Sequence, residues 1–550
     1  MLFFGLIRVS GFVSVGLSTA RPYLSLLPAP ELSGGNMTLF NFSPCSFSLP
    51  NGDILYRDIR LSLDSGLSAL IGRNGSGKSV LATQLAEQQP ADYYLLPQLP
   101  PAHWQQLSLT DLLGITDKLK TLQQLADGRC DTETLSMIDG HWQLADDLHS
   151  ELKQIGAAPD IWQRCSSLSG GQLNHLRLWW AFYQQRPLLI LDEPSNHLDA
   201  QARNGLSQRI TRFLARPKSA ILLISHDREL LQQASVIYEL NSSGLSRYGG
   251  NYEFYRQQRQ LQQTALQQQR QQAERNLAQQ QRQAQTAAER AAKRQQQGEK
   301  QRGSQATILL DYQKNRAQSA VSARRAQEQH QLKQAQQQLQ QVKAQQEVIK
   351  PQQFYLQAPA VTGSKQWVNA VALQLAHGNS QPLSFNWRTK QRVHLQGCNG
   401  SGKSTLLQTL AGLIAPAAGQ LQLNCTIQYL DQHFSLLNSS QNALANLRQY
   451  CPMLSETNAR TLLASAGLRA DKALQPSGVL SGGERMKLAM LMVSQHCDSL
   501  LLLDEPDNHL DLETKTLLAQ TLYHYPAGFV VVSHDQHFIA QLGIDTVLQI

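Results

Sequence analysis

Short, nearly unbroken apolar runs punctuate the chain. They read LSALI at 67–71, YYLL at 93–96, LLILD at 188–192 and ILLIS at 221–225 in the first half. RVHLQ at 392–396, IQYL at 427–430, LLLLD at 500–504 and VVVS at 530–533 follow in the second. Runs of this length without strict alternation predict strands buried on both faces of a parallel sheet. VLATQLA at 80–86 and TLLQTLA at 405–411 each follow such a run and predict apolar helices. Alternation of strand and helix makes the expected class α/β.

Residues 251–350 break this pattern, with sparse apolar positions and no proline until Pro351. Gln, Ala, Arg, Lys and Leu favour helix. The prediction is two long helices, the first of roughly 45 residues or ~65–70 Å, with a turn somewhere in 297–312, near Gly298 and Gly303. Apolar residues are too few for a full coiled-coil seam. Residues 1–36 also stand apart: they are apolar but broken by Arg8, Arg21, Pro22, Pro28 and Pro30. The positive start of a secretory signal is missing there. The expectation is a disordered or dispensable extension, with a domain start at Met37, where MTLFNF opens.

A duplication organises the rest. GRNGSGKS at 72–79 recurs as GCNGSGKS at 397–404, and LSGGQ at 168–172 as LSGGE at 480–484. LLILDEPSNHLD at 188–199 recurs as LLLLDEPDNHLD at 500–511, and ILLISHD at 221–227 as VVVSHD at 530–535. Four motifs in one order at offsets of 308 to 325 make two copies of one domain. The expected layout is therefore an extension at 1–36, domains at 37–250 and 351–550, and a helical linker at 251–350.

At 550 residues with 41% hydrophobic positions, the chain can bury more than one core. No run of about 18 apolar residues predicts a membrane span. Seven scattered cysteines, with no C-x-x-C pair, form neither a disulfide framework nor a zinc cluster, and indicate a reducing, cytoplasmic setting. Charge changes the picture most. Residues 251–350 hold 17 Lys and Arg against 7 Asp and Glu, whereas the other 450 hold 32 against 34. The linker carries the whole basic excess, together with 33 glutamines. It reads either as a solvated or disordered spacer or as a basic hairpin that lies along phosphates.

The repeated motifs carry phosphate chemistry. Gly72, Asn74, Gly75, Ser76 and Gly77, and likewise Gly397, Asn399, Gly400, Ser401 and Gly402, form loops whose backbone N–H groups wrap a phosphate. Lys78 and Lys403 would reach the β- and γ-phosphates of ATP, and Ser79 and Ser404 would place a hydroxyl on Mg²⁺. Asp192 and Asp504 suit Mg²⁺, directly or through water, and Glu193 and Glu505 suit deprotonation of the attacking water. A histidine after a strand is usually structural, but His226 and His534, repeated beside P-loops, read as γ-phosphate sensors. Gln98 and Gln432, each after a further strand, are candidate ligands of Mg²⁺ and the water.

P-loop, glutamine, LSGGQ, DEP-x-NHLD and SHD, twice over, resemble the ATP-binding-cassette ATPases across about 37–250 and 351–550. NHLD after the glutamate, two cassettes in one chain and a charged linker opened by YGGNYEFYRQQR narrow the resemblance to the ABC-F subfamily. It implies a head-to-tail pair around two ATPs, formed within one chain, with no obligate homo-oligomer. Lys78, Ser79, Gln98, Asp192, Glu193 and His226 would then face Ser481, Gly482 and Gly483. Lys403, Ser404, Gln432, Asp504, Glu505 and His534 would face Ser169, Gly170 and Gly171, and Asn196, Asp199, Asn508 and Asp511 would cross the seam. The signature N–H groups, at a helix N-terminus, would complete the γ-phosphate cage. Adenine stacking departs from the family: Leu49 or Phe47 is the nearest aromatic-loop counterpart in the first copy, with none obvious in the second. Twenty-two extra residues also sit around 100–165 of the first copy, as a short arm or as longer helices.

The resemblance implies a translation factor that binds the ribosome at the tRNA exit site when ATP closes the cassettes. Its hairpin would contact rRNA and P-site tRNA, in a housekeeping or an antibiotic-resistance role. A basic hairpin almost without aromatics suits helical RNA, held by shape, better than single strands. A DNA-directed ATPase of the same architecture and the motor of a transporter with separate membrane subunits are the alternatives. The chain ends just after TVLQI, without a C-terminal coiled coil, which counts against DNA. A transport motor needs no 100-residue basic linker.

Overall fold

The apolar runs become strands, and the two halves build the same sheet. In the computed structural model the described residues are 38–48, 54–88, 92–98, 104–127, 140–196, 198–241, 244–300, 326–327, 329–343, 365–379, 381–469, 471–495, 499–508 and 510–550. Two antiparallel ladders come first: β1 (Thr38–Asn41) with β4 (Ser62–Asp64), and β2 (Cys45–Ser48) with β3 (Ile54–Ile59). The first main sheet contains β5 (Gly66–Gly72), β6 (Tyr93–Leu96), β7 (Leu188–Asp192), β8 (Ala220–Ile224), β9 (Val236–Asn241) and β10 (Gly244–Gly249). Its order is β10-β9-β5-β8-β7-β6, parallel except for the β9–β10 hairpin.

The second half opens with an antiparallel sheet from β11 (Gln366–Gln374), β12 (Leu383–Arg388) and β14 (Ala418–Leu423). Its main sheet uses β13 (Arg392–Gln396), β15 (Thr426–Leu430), β16 (Ser499–Asp504), β17 (Phe529–Val532) and β18 (Thr546–Gln549). The order β15-β16-β17-β13-β18 is parallel throughout and repeats that of β6-β7-β8-β5-β9. Every residue of β7, β8, β16 and β17 is buried, which is why those segments read as continuous apolar runs. In each sheet the P-loop strand, the DE strand and the histidine strand end at one edge. Asp192 pairs with Ile224 and Leu70 with Ile224 in the first sheet; Asp504 pairs with Val532 in the second. Ligands of open α/β sheets bind at this carboxyl edge.

The described part of 100–165 forms helices Leu109–Leu113, Thr116–Ala126 and Leu144–Gln154. Leu109, Leu119, Leu144, Leu148 and Leu152 bury against Leu173, Leu176 and Trp180 of the helix Gly170–Tyr183. Residues 128–139 of that insert lie outside the described residues.

The linker begins with one helix, Tyr252–Lys300, of 49 residues, or about 70 Å. Tyr255 sets its ring edge-on to Tyr248 of β10 at 5.0 Å, and Arg259 pairs with Glu239 of β9, so the helix leaves the first sheet at a fixed point. Along it the half-buried positions include Ala273, Leu277, Gln280, Ala284 and Ala287, spaced by three and four. Residues 329–343 are also helical, with Leu332, Ala335, Leu339 and Val342 the more buried positions. In both segments the more buried positions recur at spacings of three and four, filled by alanine, leucine and glutamine in the first and by leucine, alanine and valine in the second. The expected turn falls largely outside the described residues, which stop at Lys300 and resume at 326, as do the N-terminal extension and Leu49.

Candidate functional site

Residues Thr38–Ile550 form one compact unit, and two sites lie where its cassettes meet. Each is built first by a P-loop. Glycine is demanded at Gly72, where a Cβ would stand 2.5 Å from the Leu240 carbonyl oxygen, and at Gly397, where it would stand 2.6 Å from that of Ile550. Gly77 at φ +91° and Gly402 at φ +105° turn each chain into its helix. The buried lysines then fold over their own loops. Lys78 Nζ donates to the carbonyls of Gly72 at 2.7 Å and Arg73 at 3.0 Å, and Lys403 Nζ to those of Gly397 and Cys398, both at 2.8 Å.

The acidic pair arrives on the fully buried strand. Asp192 is hydrogen-bonded by Ser79, and Asp504 by Ser404 and Tyr429, which brings together both expected Mg²⁺ pairs. Glu193 and Glu505 each adopt φ +49°, a left-handed conformation that glutamate rarely takes. The Glu193 N–H donates to the Ile224 carbonyl at 2.8 Å and that of Glu505 to Val532 at 2.9 Å, so the neighbouring strand holds the turn. The same left-handed conformation recurs at both glutamates. His226 Nε2 lies 3.5 Å from Glu193 Oε1, and His534 Nε2 lies 3.7 Å from Glu505 Oε1.

The two glutamines differ. Gln432 Nε2 donates to Glu505 Oε2 at 2.9 Å, and Asn508 donates to the same oxygen. Gln98 is exposed beyond β6, and the Pro97 carbonyl before it accepts from Arg177. The structure therefore brings Gln432, not Gln98, against its catalytic candidate.

The seam is crossed reciprocally. Asp511 Oδ2 accepts from the backbone N–H of Asn74 at 3.3 Å, and Asp199 Oδ2 from that of Asn399 at 3.2 Å. Each P-loop thus meets the loop after the other cassette's glutamate. Arg73 pairs with Glu513 at 3.0 Å across the same seam. Asn196 and Asn508 line a cavity there with Glu193 and His226.

Ser169 and Ser481 both cap their helices in full capping boxes, with Gln172 and Glu484 as the returning partners. That reciprocity explains why LSGGE substitutes for LSGGQ without loss of geometry. A Cβ at Gly170 would meet nothing within 4 Å, so this helix end is open on its N-terminal side. Lys487, in the second signature helix, is lowered by burial and lies within electrostatic reach of Asp511 and of Arg73 in the first P-loop. Asn174 ties the first signature helix to the Pro194 and Asn196 carbonyls, 3.0 Å each, just before the loop that reaches Asn399.

Burial dominates the electrostatics. It pushes Glu193 up to about 7, with Lys78 opposing, and Glu505 also to about 7, with Asp504 and Asp507 adding repulsion. Burial lowers Lys78 and Lys403, and drives His226 down to about 3 and His534 to about 4, so both histidines are neutral at pH 7. Among the described residues Ser76 Oγ, Ser401 Oγ, both ring nitrogens of His226 and Nε2 of His534 are buried without a hydrogen-bond partner. Buried polar groups of this kind are rare unless a ligand meets them. Their clustering beside two lysines and two glycine loops fits a nucleotide triphosphate.

A stability prediction follows. The raised carboxyls bind protons more tightly in the folded chain than at their unfolded value, near 4.3. Their contribution is therefore full below that value and lost as pH rises through about 7. Between pH 6 and 8 the carboxyls should withdraw about 1 kcal/mol per site, partly offset by His226 and His534, which burial holds neutral in the folded chain while they charge in the unfolded one toward pH 6. A Glu193→Gln/Glu505→Gln chain should lack that part of the slope in denaturant titrations at the two pH values. Identical slopes would contradict the assignment.

Two side chains and one backbone carbonyl at the sites were not legible in sequence. The ring of Tyr56 lies under the first P-loop, 3.0 Å from a Cβ at Gly77, and its hydroxyl donates to Gln84 at 2.9 Å. The His377 carbonyl oxygen lies 3.0 Å from a Cβ at Gly402. Glu513 bridges Arg73 and, at 4.0 Å, Arg259 of the linker. Phe47, an adenine candidate, lies with its ring tilted 33° to that of Tyr56 at 6.3 Å and packs on the core.

Comparison with known proteins agrees with this geometry. The ABC transporter family matches residues 56–196 and 380–508. The putative ATP-binding protein YdiF of Bacillus subtilis is 29% identical over 89% of this chain and 77% of its own. ATP-binding cassette sub-family F member 3 of Mus musculus is 28% identical over 86% of this chain and 65% of its own. A structure of ribosome-bound archaeal Pelota and ABCE1 contains a chain with the same twin-cassette fold. Its TM-score is 0.53 at 17% identity, over 90% of this chain and 74% of that one. Among the described residues no helix is long and apolar enough to cross a membrane. Two cassettes in tandem, joined head to tail by reciprocal P-loop contacts, make this chain a member of the ATP-binding-cassette family, of the ABC-F type.

Proposed function

We propose that the chain is an ATP-hydrolysing switch that binds the ribosome in its ATP-closed state, at the tRNA exit site, and acts on translation through its linker. The observation that carries this reading is the placement of the linker. A basic helix of 49 residues starts on the first sheet and, through Arg259 and Glu513, lies against the seam that ATP would close.

The residues that would hold the nucleotide are in place. Lys78 and Lys403 exchange loop carbonyls for phosphate oxygens, and the P-loop N–H groups and the Ser169 and Ser481 helix ends enclose the γ-phosphate. Ser79 with Asp192, and Ser404 with Asp504, would hold Mg²⁺, which neutralises phosphate charge when bound. Glu193 and Glu505, with affinities for protons matched to neutral pH, accept a proton from the attacking water. The neutral His226 and His534 orient toward the γ-phosphate. Asp199 and Asp511 already sit on the opposite P-loops; ATP at the seam would hold them there, and hydrolysis would release them.

Exposed Arg270, Arg275, Arg282 and Arg290 line the helix. Such a surface grips duplex RNA through phosphates and shape. The two stripes, at 273–287 and 332–342, fit a hairpin that stiffens this arm. Support also comes from the ribosome-bound protein of the same fold. Removing 260–345 should leave ATP binding within about threefold and abolish sedimentation with ribosomes, because the phosphate contacts supply most of such affinity. Retained sedimentation would move the contact onto the cassettes.

A further inference from the structure

One side chain outside the expected constellation touches motifs of both cassettes. Arg203 lies in the first turn of the helix Ala200–Leu214, four residues after Asp199. Its Nε donates to the Leu198 carbonyl at 3.1 Å. Its Nη1 donates to the His534 carbonyl at 3.2 Å and stands 3.5 Å from Asp227 Oδ2. The side chain is only 15% exposed. A guanidinium presents five donors in a planar fork, so it can hold two carbonyls and a nearby carboxylate at set angles, which an ammonium on a flexible stem does less well.

The acceptors are informative. Leu198 immediately precedes Asp199, whose carboxylate receives the Asn399 N–H of the second P-loop. Asp227 ends the first cassette's SHD motif, and His534 lies within the second's. The guanidinium is therefore anchored on the loop that completes the second site, and it grips the residue that would sense γ-phosphate in that same site.

The counterpart in the other cassette does not do this. Lys515 stands four residues after Asp511, in the equivalent turn. It lines the cavity that holds Glu193 and His226 of the first cassette, yet its ion pairs are with Asp535 at 3.0 Å and Asp507 at 3.8 Å, both in its own cassette, and it makes no bond to the His226 carbonyl among the described residues. Asp507 takes the place that Ser195 holds in the first copy, DEPD against DEPS. One extra buried carboxylate retains the lysine, whereas Arg203 is left to reach across. The sequence differences at two paired positions thus make the two sites unequal.

We propose that Arg203 is a positioning residue for the second ATP site, holding His534 in register with Glu505 when the first cassette docks. Hydrolysis at the Lys403/Glu505 site then depends on seam closure through a contact that the Lys78/Glu193 site lacks. This rests on the ATPase reading above.

The test uses the full chain in two single-site backgrounds. With Glu193→Gln, turnover reports the second site; with Glu505→Gln, the first. Arg203→Ala should lower kcat in the first background by about tenfold with KM within about twofold, and in the second by less than about threefold. Arg203→Lys keeps the charge but not the fork, and should not rescue. Equal falls in both backgrounds, a fall carried by KM, or rescue by lysine would overturn the proposal. A second readout is independent of turnover: hydrogen exchange of 529–541 in the ATP-bound Glu193→Gln/Glu505→Gln chain. Arg203→Ala should speed exchange there, and unchanged protection would overturn the proposal even if a single-site parent is silent. Absence of hydrolysis by the unmodified chain would instead remove the ATPase reading and leave the exchange result to decide the contact.

Discussion

Replacing Glu193 and Glu505 together by glutamine should lower steady-state ATP hydrolysis by about 10²–10⁴-fold while ATP binding stays within about threefold. The amide preserves size and can keep the left-handed turn at φ +49°, which is set by backbone bonds to Ile224 and Val532. What it removes is the proton acceptor. Both carboxyls are held near pH 7 by burial, the range in which a general base is most effective. Phosphate release and nucleotide binding, measured on the same preparation, separate the two effects. Normal hydrolysis would show that neither glutamate is the base.

The second large effect concerns the lysines. Replacing Lys78 and Lys403 by alanine should weaken ATP binding by about 10²-fold or more at each site. Hydrogen bonds from a charged donor contribute about 1.5–3 kcal/mol each, and every 1.4 kcal/mol is tenfold. The ammonium groups are already placed, 2.7 to 3.0 Å from loop carbonyls at the mouth of the phosphate cradle. Their loss also leaves Asp192 with Glu193, and Asp504 with Glu505, without the cation that lowers their proton affinity. Titration with a fluorescent ATP analogue checks this. Affinity within about threefold of the unmodified chain would place the phosphates elsewhere.

Much of each half-site was legible because its chemistry is local. A P-loop is one strand, one glycine turn and one helix start, all contiguous, and the spacing alone places Lys78 and Ser79. The buried strands announce themselves as apolar runs, and so deliver Asp192, Glu193, Asp504 and Glu505. What stayed hidden depends on residues hundreds apart. Arg73 meets Glu513 across 440 positions, and Arg203 meets His534 across 331. No periodicity records such pairs. The glutamines show a subtler limit: Gln98 and Gln432 follow equivalent strands, yet only Gln432 is half-buried against its glutamate. Along the first linker helix the half-buried positions are mostly alanine and glutamine, so apolar content understates their spacing.

The most direct test of the switch account is sedimentation of the Glu193→Gln/Glu505→Gln chain from cell lysate with ATP. That chain should migrate with 70S ribosomes and leave them when nucleotide is removed. Migration as free protein in the presence of ATP would contradict the switch account.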